Sequence, residues 1–385
     1  MPSHTHKHPL SAMARWTVPA ALCSVGMMGA WLAPGASAMT SAPASSTSAA
    51  APAVVVHSAV KAPSAKAVLA YWTPARLRAA KPVSVIVART KPKAIPATSK
   101  QPGRPGQVAG GRPNGHAAVA PPTKTITPEA FPYPYPYDSF TPAWALWRTY
   151  PYDVNGKLFF TNGGSGFVCS ATAVGSASGT KNENEIWTAG HCLVNTESNN
   201  QVYDSMAVFI PAYNGNLSNF DPFGEFVWNG GSATNTAWLH NRDLTEDEAA
   251  MTVGTSSTTG RTLGQAVGWD GFAWNQRPSE QFVAFGYPAA SPYNGNNLIE
   301  DIAATGAQDG AISGANPTKP IAIGNPMTGG SSGGAWNIRW GTSSGTGGMI
   351  NGHNDYKYNS QPLAMYSPYQ DTLSNNIRCF GATSC

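Results

Sequence analysis

Thr188-Ala189-Gly190-His191-Cys192 is the stretch that decides how the rest of this chain is read. A histidine on a tight turn has an ordinary pKa near 6.5, so it can take and return a proton near neutrality. Upstream, Phe167-Val168-Cys169-Ser170-Ala171-Thr172-Ala173-Val174 alternates as a β-strand does, and its cysteine offers a partner for Cys192. Taken alone, a histidine is more often structural than catalytic, and the five-residue context reverses that reading. The second informative stretch is Gly329-Gly330-Ser331-Ser332-Gly333-Gly334-Ala335-Trp336. Glycines around a serine let backbone approach a substrate and can point N–H groups at a developing oxyanion. In a chain with 40 glycines such a loop means little by itself, and it gains weight from the histidine stretch that precedes it.

Outward from these two stretches, short apolar runs alternate with Gly/Asn/Ser turns, at residues 157–160, 166–174, 185–188, 206–210, 281–285 and 321–323. That spacing predicts an all-β sandwich or barrel, with nothing helical of comparable length beyond a turn near 245–251. No fixed-period repeat stands out.

Together the two stretches resemble bacterial secreted trypsin-like serine peptidases, nearest in texture to the glutamyl endopeptidase-like branch, over residues 150–370. The resemblance implies an all-β fold, a double six-stranded β-barrel of the chymotrypsin-like type, with the active site between the barrels. It implies a serine endopeptidase working through an acyl-enzyme, with His191 as general base and Ser332 as nucleophile. Gly330 and Ser332 would supply the oxyanion-hole N–H groups. The family marks the third triad member as Asp-x-Ala followed by an apolar residue. Asp247-Glu248-Ala249-Ala250 fits this pattern, and Asp243-Leu244-Thr245 fits less well. Asp247 is therefore the expected orienting acid, and its flanking Glu246 and Glu248 are expected to face solvent. Cys169–Cys192 becomes the expected bridge across the histidine loop.

Two departures from the family pattern stand out. Ser331 occupies the place of the usual aspartate before the nucleophile, which puts activation through a new N-terminus in doubt, and Ala335 replaces the usual proline. Met349-Ile350-Asn351-Gly352-His353-Asn354-Asp355-Tyr356 lies where the family builds its specificity pocket, which makes His353, Asn354 and Asp355 candidate substrate-binding residues. Pro326, six residues before Ser332, stands where Arg/Lys-specific relatives carry an acid, and it argues against that specificity.

Two other classes are weighed against the peptidase. Gly330-Ser331-Ser332-Gly333-Gly334 also satisfies the Gly-x-Ser-x-Gly elbow of α/β-hydrolases, but that fold needs the order Ser, acid, His, and here the convincing histidine comes first. A non-catalytic secreted binding module that kept the fold is the other alternative, and such a module has no need of a triad.

The N-terminal third reads differently. Lys7 and Arg15 precede an apolar stretch at 16–32, and Ala36-Ser37-Ala38 is a small-residue cleavage site, so 1–38 is expected to be a signal peptide. The stretch is too short and too interrupted by Pro19 and glycines for a secure membrane span. Leu22 before Cys23 is too large for a lipid-anchor site. His4, His6 and His8 resemble a metal tract that would leave with the signal.

Residues 39–137 hold twelve Lys/Arg against one acid, Glu129, whereas 138–385 hold ten Lys/Arg against nineteen acids. The segment 39–137 is thus a basic, Pro/Ala-rich, low-complexity leader, expected to be largely disordered and to serve as propeptide or linker ahead of a peptidase domain at 138–385. Within it, residues 67–72 form an apolar patch able to dock, and Phe131-Pro-Tyr-Pro-Tyr-Pro-Tyr137 is a stiff spacer. The opposite charges of leader and body favour contact. The leader's simple composition gives no basis for specific nucleic-acid binding.

Signal removal leaves Cys169, Cys192, Cys379 and Cys385, an even number in an exported chain, with Cys379–Cys385 expected to tie down the C-terminus. There is no CxxC, HExxH or EF-hand loop, so no metal or cofactor is expected, only protein or peptide substrates, with secretion as the destination.

Overall fold

The computed structural model describes residues 51–58, 62–87, 90–113, 124–128, 131–175, 183–196, 202–203, 205–341 and 347–380. The expected signal peptide, Cys23 and Cys385 lie outside them. The strands appear where the apolar runs predict them: Asn155–Asn162, Ser165–Ala173, Glu185–Thr188, Ser205–Pro211, Gln281–Gly286 and Ile321–Gly324.

Six strands close the first barrel. Phe226–Asn235 pairs with Ser205–Pro211, which leads through Asn155–Asn162, Ser165–Ala173 and Glu185–Thr188 to Ala249–Ser256, and this last strand pairs back onto Phe226–Asn235. Closure removes every free edge. Its interior is filled by Leu158, Phe160, Ile186, Phe209, Met251 and neighbours, all buried.

The second half, expected as the other barrel of the chymotrypsin-like type, is a curled half-barrel. It runs from Tyr356–Lys357 through Ala364–Ser367, Ile321–Gly324, Ile299–Asp309, Gln281–Gly286, Ala335–Ile338 and Met349–His353 to Gly271–Trp274. Its two ends do not pair with each other because each is occupied by the leader: Val85–Ile86 lies parallel to Tyr356–Lys357, and Gly106–Val108 lies antiparallel to Gly271–Trp274. An exposed sheet edge is a row of unpaired N–H and C=O groups, and here leader backbone satisfies both rows.

The described part of the leader is therefore ordered, which corrects the expectation of disorder. Its composition is poor in apolar residues overall, but those it has are clustered and locally capped. Ala65–Tyr71 is a helix because the Ser64 side chain accepts from Ala67 N, and Pro74–Ala79 is one because Thr73 accepts from Arg76 N and proline opens the turn. Val68 and Trp72, one helical turn apart, and Leu77 are buried together against Phe159, Val168 and Val208. Burying Val- or Leu-sized side chains contributes about 1.5–3 kcal/mol each. Trp72 also donates its indole N–H to the Met206 carbonyl at 2.6 Å. Strand Val54–Ser58 adds to the outside of Phe226–Asn235. The Pro-Tyr spacer is likewise built in: Tyr135 is buried beside Tyr356 and Tyr366, and strand Tyr137–Phe140, which straddles the expected domain boundary, pairs with Ile299–Asp309. Backbone pairing of this kind leaves little trace in composition.

Candidate active site

His191 sits on the one-turn helix Gly190–Cys192 directly after strand Glu185–Thr188. The disulfide Cys169–Cys192 pins that turn to the neighbouring strand, as expected. Asp247 immediately precedes strand Ala249–Ser256, whose first residue pairs with Thr188, so sheet register carries the acid to the histidine. Asp247 grips His191 at two points: Oδ1 accepts the His191 backbone N–H at 2.7 Å, and Oδ2 lies 2.9 Å from ring Nδ1. Gly190 makes this possible, since a Cβ there would stand 2.8 Å from Asp247 Oδ1 and 2.9 Å from the Trp238 ring. Asp243, the other candidate acid, is a loop brace: it accepts from Thr245 N, Thr245 Oγ1 and Ala315 N.

Glu246 and Glu248 correct a second expectation, since both are buried. The C-terminal helix Thr372–Arg378 covers this loop, and Ser374 Oγ donates to Glu248 Oε1 at 3.0 Å. Burial, then neighbouring acids, push Glu246 up to about 9 and Glu248 well above the carboxylate range, so both are held neutral.

Ser332 lies on a turn between the halves, fastened to both. Ser170 N donates to Ser332 O at 2.7 Å, from the first barrel, and Gly333 N donates to Asn354 O at 2.8 Å, from the second sheet. Gly333 has φ +81°, and a Cβ on it would stand 2.1 Å from Thr188 Oγ1. Ser170 contributes a residue that the sequence reading passed over: its Oγ donates to Gly330 O at 2.9 Å and accepts from Tyr287 N at 2.9 Å. Ser331 Oγ donates to Thr328 O at 2.8 Å, a bracing role inside the loop.

Gly330, at φ +95°, directs its N–H into the cleft, where it donates to the carbonyl of leader residue Val83 at 2.7 Å. Val83 N in turn donates to Val168 O at 3.0 Å, and Val87 N to Lys357 O at 2.8 Å. Leader residues 81–87 thus cross from the first barrel to the second over the nucleophile loop. They wall both cleft cavities, one of about 300 Å³ containing His191 and one of about 260 Å³ containing Ser332 and Asp355. His191 Nε2 has no hydrogen-bond partner among the described residues.

Of the three proposed substrate-binding residues, Asp355 lines the cavity beside Ser332. His353 is fully buried behind the acid, with Nε2 3.0 Å from Asp247 O and its ring edge-on to Trp187, and burial lowers its pKa to about 4. Asn354 is buried too, its Nδ2 donating to Phe285 O and Ser331 O and its Oδ1 accepting from Trp336 Nε1 and Asn325 Nδ2. His353 ends the strand Met349–His353 and Asn354 follows it, and both side chains point into the packing beneath Asp247 and Ser331. Asp355 Oδ1 lies 3.4 Å from His191 Nδ1, so it sits beside the His191–Asp247 pair. The pocket's basic residue is Lys357, whose Nζ donates to Asn325 O and Pro362 O; burial lowers it to about 7.

Burial disfavours charge on His191, but Asp247 and then Asp355 outweigh it and push its pKa up to about 10. Asp247 is held below the usual carboxylate range, since its contacts with His191 overcome its own burial.

Comparison with solved structures gives two close in sequence. A thermostable serine protease, AL20, from an extremophilic microorganism is 31% identical, with TM-score 0.51 over 60% of this chain and 98% of its own. The protease Anisep from Arthrobacter nicotinovorans is 32% identical, with TM-score 0.50 over 64% of this chain and 100% of its own. Neither description carries the glutamyl specificity that the sequence texture resembled. No family model matches the chain, and no curated protein matches it. The spans covered, the identities and the closed barrel beside a curled sheet agree: the chain belongs to the bacterial serine proteases of the chymotrypsin-like fold.

Proposed function

We propose that the protein is a secreted serine endopeptidase whose triad is Ser332, His191 and Asp247. Ser332 Oγ attacks the peptide carbonyl, and His191 Nε2 takes the serine proton and returns it to the leaving amine. Asp247 holds the imidazole in the tautomer with Nδ1–H and stabilises the imidazolium that forms. The N–H groups of Gly330 and Ser332 receive the oxyanion. Water then hydrolyses the acyl-enzyme by the same proton path. The observation that carries this reading is the two-point grip of buried Asp247 on His191, with Nε2 left unpartnered. The Gly330 N–H supports it by holding a peptide carbonyl already, that of Val83. A binding module that merely kept the fold has no use for such a grip. Labelling with a fluorophosphonate separates the two: the peptidase labels and Ser332→Ala does not, whereas a binding module labels in neither form.

The leader reads as a propeptide that restrains this site. Residues 82–86 wall both cavities, and the hydrogen bond from Gly330 to Val83 occupies a donor that a substrate needs. N-terminal sequencing of the active secreted enzyme, with the leader added back in trans, tests it. A start between about 125 and 150 with inhibition by added leader supports the propeptide, and an active enzyme starting near Met39 refutes it. Export is supported by the signal-like N-terminus and by the disulfide Cys169–Cys192. The lysine in the pocket wall and the absence of an acid at Pro326 speak against basic side chains at the cleaved residue.

A further inference from the structure

Two buried carboxylates face one imidazole in this site. Asp247 and Asp355 are both inaccessible, and one oxygen of each, together with a ring nitrogen of His191, lies within 4.8 Å of the others. For His191 to serve as base it must rest neutral, and two ionised carboxylates beside it would then put two negative charges side by side on buried groups. Like charges at this range do not both ionise.

The donors decide which acid keeps the charge. Asp247 receives the His191 backbone N–H and the ring Nδ1–H. Neither oxygen of Asp355 has a hydrogen-bond donor among the described residues when it is written as a carboxylate. The remaining titratable neighbours offer no compensation. His353 behind Asp247 is kept neutral by burial, Tyr356 is pushed far above its usual range by burial, and Glu248 is neutral by burial and neighbouring acids. Lys357 turns its ammonium to the carbonyls of Asn325 and Pro362.

We propose that Asp355 is a positioning residue of the triad: it carries a proton, donates it in a hydrogen bond to the Asp247 carboxylate, and so leaves His191 facing one negative charge instead of two. A carboxylic acid has the O–H donor that an ionised one lacks, which fills the empty partnership between the two side chains. Burial, then Asp247, drives the Asp355 carboxyl well above its usual range, while hydrogen bonding to Asp355 helps hold Asp247 low. The second pull on the imidazole thereby disappears, which brings the base toward the range where it can give its proton back. When His191 takes the serine proton, the cluster becomes electrically neutral.

The inference rests on His191 and Asp247 being base and orienting acid, and its test has one arm independent of catalysis. Infrared spectra of the full chain at neutral pH are expected to show protonated-carboxyl C=O absorption, to which the neutral Glu246 and Glu248 also contribute, and the difference spectrum of parent minus Asp355→Asn is expected to show the loss of one such component. In the active secreted enzyme, Asp355→Asn replaces a neutral donor by a neutral donor, so the acid limb of kcat/KM is expected to stay within about half a pH unit of the parent. If Asp355 were ionised, deleting its charge 3.4 Å from the ring would drop that limb by more than about one unit. Asp355→Ala, which offers no donor, is expected to lower kcat about tenfold with KM nearly unchanged. No protonated-carboxyl component in that difference spectrum, or a limb that falls by a unit or more in Asp355→Asn, overturns the proposal. Failure of the peptidase reading appears elsewhere, as absence of fluorophosphonate labelling in the parent as well as in Ser332→Ala, and leaves the infrared result standing.

Discussion

The first barrel closes on itself, with Phe226–Asn235 meeting Ala249–Ser256, whereas the second sheet stays open and ends on Tyr356–Lys357 and Gly271–Trp274, each bearing a leader strand. The two halves carry different parts of the site. His191 and Asp247 come from neighbouring strands of the closed barrel, locked by register and by the Cys169–Cys192 bridge. The loop bearing Ser332 belongs to the open half, and its Gly330 N–H, the pocket wall at Lys357 and the cavity beside Ser332 all contact the leader. The base and its acid are held by a ring of strands that closes on itself, to whose outside leader strands add, whereas both ends of the Ser332 half terminate on leader strands that the proposed maturation removes. Regulation acts most simply on the half whose edges are open.

The largest effect separates chemistry from bracing. Ser332→Ala and His191→Ala are expected to cut kcat by about 10⁵–10⁶-fold, and Asp247→Asn by about 10⁴-fold, in assays on peptide substrates. Asp243→Asn, which alters only the brace of the adjoining loop, is expected to stay within about threefold in kcat and to lose about 0.5–1.5 kcal/mol in denaturant melts. An inactive, well-folded Asp243→Asn would transfer the acid's role and dissolve the account of the closed half.

Next in size is the glycine that admits the acid. Gly190→Ala places a methyl 2.8 Å from Asp247 Oδ1, and kcat is expected to fall at least about 100-fold while labelling by fluorophosphonate slows in proportion. Full activity would mean that the two-point grip is dispensable.

Ser170 sharpens the comparison because it reaches from the closed half into the nucleophile loop. Ser170→Ala removes a donor to Gly330 O and an acceptor for Tyr287 N, both buried. A loss of about 1–3 kcal/mol in stability is expected, with kcat reduced more than KM is raised. An unchanged kcat would show that Gly330 is held by its own half.

The smallest effect concerns the open edges. After removal of residues 51–137, amide exchange is expected to quicken at Tyr356–Lys357 and Gly271–Trp274 by about tenfold or more and to stay unchanged in Glu185–Thr188 and Ala249–Ser256. Equal quickening in both halves would remove the distinction drawn between them.

Much of the site was legible because it is local. The His191 turn and the Ser332 loop each lie within a few consecutive residues, and the strands around them alternate in the ordinary way. Asp247 was legible only through the family pattern, since nothing in Thr245-Glu246-Asp247-Glu248 by itself separates a triad acid from a solvated loop. The burial of Glu246 and Glu248 depends on a helix more than 120 residues later, and no local pattern reports it. His353, Asn354 and Asp355 were read as one pocket wall, but the strand Met349–His353 ends at the histidine and the chain leaves the sheet over Asn354 and Asp355, so His353 lies beneath the acid while Asp355 comes beside the imidazole.

The sequence by itself determined the chemistry available: a histidine turn tied to a cysteine-bearing strand, a serine among glycines downstream, and alternating runs that build β-sheet. Tertiary structure alone decided which carboxylates meet His191, that the second sheet stays open, and that a basic leader of unpromising composition lies across the cleft. The physical reason is range. Turn, strand and glycine preferences act between neighbours in the chain, whereas shared charge, burial and edge pairing depend on residues that meet only when the chain has folded.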